Sequence, residues 1–315
     1  MAKKKKKNNR KIIIVSFLLA LPFWWGTNIF SDKLEEIFFL KAIASQERTV
    51  VNFIHDPLRD NRVAEFGTTA RAALSVFVPF EGASQVLFEK SANTKVPIAS
   101  ITKLMTANIV LKYYNLQDNI TVSQEAVNQE EDFGKLKANK VFSVRYLLYP
   151  LLMESSNDAA FALADDYSGM YESKFLSLMN DEAGSLGMSN TTFFSVSGLD
   201  PPKDENQKKI NISTARDVYR LTKSLLPKEL IWEILSTKEF SQYGPVLENT
   251  NKLIGTTPGL VGGKTGYTLK AKECIVLVTK APKNKGYIIN VILGSNDRFG
   301  EMANLVKWIK QGYNW

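Results

Sequence analysis

Histidine and cysteine are almost missing from this chain: in 315 residues there is one of each, His55 and Cys274. A single histidine builds no imidazole cluster for a metal, and a single cysteine forms neither an internal disulfide nor a paired thiolate zinc site. No metal and no cofactor is therefore expected. Any nucleophile other than Cys274 must find its base among lysine, tyrosine, aspartate and glutamate. Cys274 itself lies in an apolar, strand-like run and reads as core rather than as a reactive thiol, and His55 is assigned no role.

Broad positive charge is also lacking, despite a formal net charge of +8. Lys3 to Lys7, Arg10 and Lys11 supply seven of those charges before any acid occurs, leaving +1 for the rest of the chain. Nucleic acid is not an expected partner of so balanced a body. Charge of either sign is then absent from residues 12–31, a run that includes Phe17, Leu18, Leu19 and the pair Trp24-Trp25. That length suits a transmembrane helix. Lysines ahead of it and Asp32 after it orient its start toward the cytoplasm, so the remainder is expected outside the membrane. Cleavage of a signal peptide at Ala42-Ile43-Ala44 is the rival reading. The expected organisation is a cytoplasmic basic segment (1–11), a signal anchor (12–31), a juxtamembrane tether (32–67) and one catalytic body (68–315).

Within that body, residues 71–80 alternate as a strand, and 85–88 read as its returning partner. Helical spacing takes over after Pro97 and recurs through 143–153, 158–167, 174–186, 214–226 and 229–235. Strands return at 240–243, 263–267, 273–279 and 287–294, followed by a helix over 298–309. Strands at both ends with helices between them predict an α/β (α+β) fold, with one antiparallel sheet assembled from distant parts of the chain.

Three short motifs carry the chemistry. Ser100-Ile101-Thr102-Lys103 is the chain's single Ser-x-x-Lys. On a helix it places the amine beside the hydroxyl, and unpaired N–H groups at the helix start suit a developing oxyanion. Taken alone it also fits a capping serine with a solvated lysine. Ser155-Ser156-Asn157 falls at a break between helices, where a plain N-cap is the alternative. Gly262-Gly263-Lys264-Thr265-Gly266-Tyr267 sets a cation and a hydroxyl among glycines that let a ligand approach the backbone. Pro258 stands where a phosphate loop would need glycine.

Together these segments resemble the penicillin-binding D-alanyl-D-alanine carboxypeptidases, over about residues 71–308. Residues 97–106 are similar to the family's nucleophile segment and 155–160 to its second motif. Leu186-Gly187-Met188, Gly198-Leu199, Ser213 to Asp217 and Asn249 to Leu253 are similar to intervening segments. The resemblance implies a beta-lactamase/transpeptidase-like fold and a serine peptidase of peptidoglycan stem peptides, inhibited covalently by beta-lactams. By the same resemblance Ser100 is the nucleophile and Lys103 its base, and Ser155 and Lys264 relay a proton to the leaving amine. Asn157 orients Lys103 and the substrate amide. The N–H groups of Ser100 and Tyr267 form the oxyanion hole, and Lys264, Thr265, Gly266, Tyr267 and Arg298 bind substrate. A D,D-endopeptidase and an inactive wall-binding protein remain alternatives. A class A beta-lactamase would need a Glu-x-x-x-Asn arrangement that residues 172–182 lack.

Overall fold

The strands β4 (Lys272–Lys280) and β5 (Gly286–Ser295) read as nearly continuous apolar runs, which is the pattern of strands covered on both faces. The computed structural model, which describes residues 57–130, 135–165, 171–201, 209–242 and 245–315, places them at the centre of a five-stranded antiparallel sheet. Its order is β3 (Leu260–Thr268), β4, β5, β1 (Ala72–Pro79), β2 (Gln85–Lys90). The expected hairpin β1–β2 thus joins the C-terminal strands through β5.

Alternation of side chains divides this sheet between two cores. Leu74, Val76, Val276, Val278, Ile289 and Val291 face the helical middle of the chain. Ala73, Phe77, Ile275, Leu277, Ile288 and Ile292 face α6 (Arg298–Gly312), which packs on β4 and β5. On the first face lie α1 (Lys103–Tyr113), α2 (Asn157–Ala164), α3 (Glu172–Ser185), α4 (Ala215–Leu225) and α5 (Glu229–Ser236). Gly187, which follows the end of α3, takes a left-handed φ of 69° as expected of a helix stop.

Several boundaries differ from expectation. Ser100 sits not in the α-helix but in a 3-10 turn, Ala99–Thr102, and α1 begins at Lys103. The expected helix 143–153 is α-helical only over Val144–Tyr149, because Pro150 offers no N–H and crowds the preceding turn. The next segment, Pro150–Glu154, widens into π geometry. The strand expected at 240–243 is a two-residue pairing of Glu239–Phe240 with Leu247–Glu248. The basic segment, the anchor and most of the tether lie outside the described residues. Among the described residues no helix is long and apolar enough to cross a membrane.

Folded structure also starts ahead of the expected boundary at residue 68. Leu58–Arg59 pairs with Tyr313–Asn314. Arg59 stacks 4.7 Å from the centre of the Trp308 ring, Phe66 and Phe88 flank that ring, and its indole N–H donates to Ala64 O at 2.7 Å. No periodic pattern marked these residues, because their order comes from one distant tryptophan. Trp308→Ala should lower stability by about 3–5 kcal/mol. The measurement is a urea unfolding curve, with limited proteolysis expected to open residues 59–66 first.

Candidate active site

Two backbone devices set the nucleophile turn. Ala99 holds a left-handed φ of 47°, and its carbonyl packs against Gly198, where a Cβ would lie 2.1 Å from Ala99 O. Only glycine permits that approach, so the Gly198 segment can bring the Ser197 carbonyl beside Lys103. Asn211 ties the turn to the same segment, donating to Thr102 Oγ1 at 3.0 Å and Ser195 O at 2.8 Å.

Lys103 is fully buried. Its Nζ lies 2.9 Å from Ser100 Oγ, 2.7 Å from Asn157 Oδ1 and 2.9 Å from Ser197 O. Asn157 Oδ1 and Ser197 O accept from this amine and hold it in place, and the Ser100 hydroxyl stands within hydrogen-bond reach of it, the separation across which a proton can pass. Asn157 is fixed in turn by donating its Nδ2 to Glu130 O at 2.8 Å.

The π turn at Pro150–Glu154 ends on Ser155 in left-handed geometry, φ 66° and ψ 30°. The chain then re-enters a helix at once, with Ser156 Oγ capping α2 by accepting from Ala159 N at 3.1 Å. Ser156 is thus the N-cap that the sequence allowed, while Ser155 is turned into the cleft. Its Oγ accepts from Lys264 Nζ at 2.8 Å. Lys264 also donates to Thr265 O at 2.9 Å.

Strand β3 forms the opposite wall. Gly266 abuts the nucleophile turn: a Cβ there would lie 3.1 Å from both Ile98 O and Ser100 N. The backbone of β3 can therefore reach the N–H groups beside Ser100, as an oxyanion hole requires. Thr265 and Thr250 share a hydroxyl hydrogen bond of 2.7 Å. Arg298 opens α6, donates Nη1 to Gly266 O at 2.9 Å and receives Glu273 at its backbone N–H at 2.8 Å. Ser100, Ser155, Thr265, Gly266, Tyr267 and Arg298 line one cleft of about 460 Å³.

Six of the predicted site residues thus line one cleft, and the other three, Lys103, Asn157 and Lys264, are buried beside it and joined to Ser100 and Ser155 by hydrogen bonds. The D-alanyl-D-alanine carboxypeptidase family Peptidase_S11 matches residues 65–297. The chain belongs to this family. It is 31% identical over 253 residues to the D-alanyl-D-alanine endopeptidase of Pseudomonas aeruginosa, covering 76% of this chain and 78% of that protein. It is 36% identical over 242 residues to the D-alanyl-D-alanine carboxypeptidase DacC of Escherichia coli, covering 71% of this chain and 58% of that one. The crystal structure of a Streptomyces DD-transpeptidase superposes with a TM-score of 0.71 at 27% identity, over 79% of this chain and 100% of that one.

Two buried lysines in one peptidase cleft repel each other. Burial first, then the charge of Lys103 and that of Arg298, hold Lys264 well below the ordinary lysine value of 10.5. Cys274, paired with Gly266 across β3 and β4, is buried as expected, and burial raises its thiol to about 11.

Sequence reasoning assigned no role to Thr250, Ser197 or Glu154. Thr250 stood in a segment noted for its similarity to the family and Ser197 directly before another, but only the fold brings Thr250 to Thr265 and the Ser197 carbonyl to Lys103. Glu154 also lines the cleft, and its Oε1 accepts from Glu248 N at 3.2 Å. Its place directly before Ser155 was the available signal.

Two outcomes are expected. A lysine whose pKa is depressed on folding binds fewer protons folded than unfolded, so its contribution is full above pH 10.5 and is lost as pH falls through the lowered folded value. Lys264→Met should therefore gain stability relative to wild type as pH is lowered from 10 to 6, read from urea midpoints. Gly266→Ala should push β3 away from Ser100 and slow acylation by a fluorescent penicillin on the order of 10²-fold, with little change in melting temperature.

Proposed function

We propose that this chain is a penicillin-sensitive serine D-Ala-D-Ala carboxypeptidase of peptidoglycan stem pentapeptides. The observation that carries the reading is the coupling of Ser100 to buried Lys103 in a family member whose second lysine, Lys264, pairs with Ser155 in the same cleft. Ser100 Oγ bonds to the carbonyl carbon of the penultimate D-alanine while neutral Lys103 takes the hydroxyl proton. The oxyanion rests on the Ser100 and Tyr267 N–H groups. As the C–N bond breaks, Ser155 gives a proton to the leaving amine and recovers one from Lys264. Water then attacks the ester carbonyl and gives a proton through Ser155 to Lys264, while Lys103 returns its proton to Ser100 Oγ as the ester C–O bond breaks, so that both lysines and the serine are restored. Lys264, Thr265 and Arg298 receive the terminal carboxylate, since charge-assisted bonds are the strong ones. Beta-lactams acylate the same serine.

The names of the relatives favour a second reading, because the Pseudomonas aeruginosa protein is an endopeptidase. The same nucleophile can open an internal D-alanyl bond if the leaving-group side accepts a longer peptide. The chain spans 63% of the length of the Bacillus subtilis carboxypeptidase DacF and 58% of DacC, so the whole-protein activity is offered as this reading. The basic and apolar pattern of residues 1–31 supports attachment by an N-terminal membrane segment, with the catalytic body on the extracytoplasmic side.

Incubated with a pentapeptide muropeptide, the full-length chain should release one D-alanine, read by mass. Ser100→Ala should release none and take up no fluorescent penicillin. Cleavage of cross-linked dimers without D-alanine release would replace this reading by the endopeptidase.

A further inference from the structure

A second cavity, of about 750 Å³, shares no lining residue with the cleft and has no part in the chemistry above. Lys135, Lys137 and Lys140 line it together with Phe142, Tyr146 and Pro245. All three lysines are exposed, and no salt bridge joins any of them to an acid among the described residues. Their setting is ordered by backbone bonds rather than by counter-charges. Val122 N donates to Lys140 O at 2.9 Å, Asn139 N donates to Val122 O at 2.9 Å, and Lys140 N donates to Lys137 O at 3.2 Å. Below them the Phe142 and Tyr146 rings stack at 4.9 Å and 16°. Three cations without an acid partner among the described residues, in one cavity with stacked aromatic rings, suit a ligand with several anionic groups on a partly apolar or sugar-bearing frame.

Two stretches of chain connect this cavity to the catalytic cleft. One runs from Tyr146 through the π turn to Ser155, nine residues that at helical rise span at most about 14 Å. The other runs from Pro245 to Glu248, whose N–H donates to Glu154, and on to Thr250 at the cleft wall. Four extended peptide residues cover roughly 13–14 Å. Tyr146 of one cavity and Ser155 of the other therefore lie within about the span of an extended tetrapeptide.

We propose that Lys135, Lys137 and Lys140, over the Phe142–Tyr146 stack, form an anion-binding subsite for the free carboxylates of peptidoglycan stem peptides. The proposal rests on the peptidoglycan reading and adds the charge class that the enzyme selects. The carboxylates come either from the stem being cut or from a second stem cross-linked to it.

The test compares the full-length chain with its combined Lys135→Glu, Lys137→Glu, Lys140→Glu variant. The binding probe is a disaccharide tripeptide that lacks both D-alanines and so cannot react. Wild type should bind it in a salt-weakened manner. The variant should bind at least about tenfold more weakly, and amidating the probe's carboxylates should produce the same loss in wild type. With reactive substrates, KM should rise and kcat should hold. A rise for monomeric pentapeptide assigns the carboxylates to the stem being cut, and a rise confined to cross-linked dimers assigns them to the second stem. Penicillin labelling of the variant should match wild type. Equal tripeptide binding by variant and wild type, or a loss indifferent to amidation, overturns the subsite. A wild type that neither labels nor releases D-alanine refutes the proposed function instead, and tripeptide binding still decides the subsite.

Discussion

The burial of two lysines within one cleft is the constraint on which the rest of the site depends. Lys103 and Lys264 are 0% and 1% exposed, and an ammonium ion taken out of water is costly unless it is fully paired. Hydroxyls, an amide and carbonyls stand around the two amines. Burial and the neighbouring cations hold Lys264 below the ordinary lysine value, and a lysine amine can serve a serine as base when no imidazole stands nearby. The remaining features follow from holding those amines in place. Gly198 admits the Ser197 carbonyl, the π turn presents Ser155, and Asn157 links Lys103 to the Glu130 backbone.

Much of this was legible in the residues. Alternation and apolar runs marked β1, β2, β4 and β5, because side-chain period is a local property. The three motifs located the nucleophile, the second serine and the cationic strand before any fold was known. What escaped was set by tertiary contact. The order of residues 58–67 depends on Trp308, some 240 positions later, and the helical pattern of 143–153 does not reveal that Pro150 converts its last turn into a π segment. Thr250 reaches the site only because its N–H finds Met153 O and its hydroxyl finds Thr265.

Electrostatics shows the same division between local and global description. A body carrying +1 overall gives no reason to expect an anionic partner, yet three of its lysines line one cavity with no ion pair to an acid among the described residues. Net charge averages over the surface, while recognition depends on a few ångströms of it. The cleft follows the same rule: Arg298 and Thr265 line it together with Glu154 and Glu273, and Lys264 is buried next to Thr265.

The pairing of Leu58–Arg59 with Tyr313–Asn314 has a mechanical consequence. Leu58–Arg59 lies on the α6 side of the sheet, clamped by the Arg59–Trp308 stack. The serine turn lies against the opposite core. Force applied at Leu58–Arg59 is therefore borne first by the C-terminal strand and by α6, the helix whose opening residue, Arg298, reaches the cleft through Gly266.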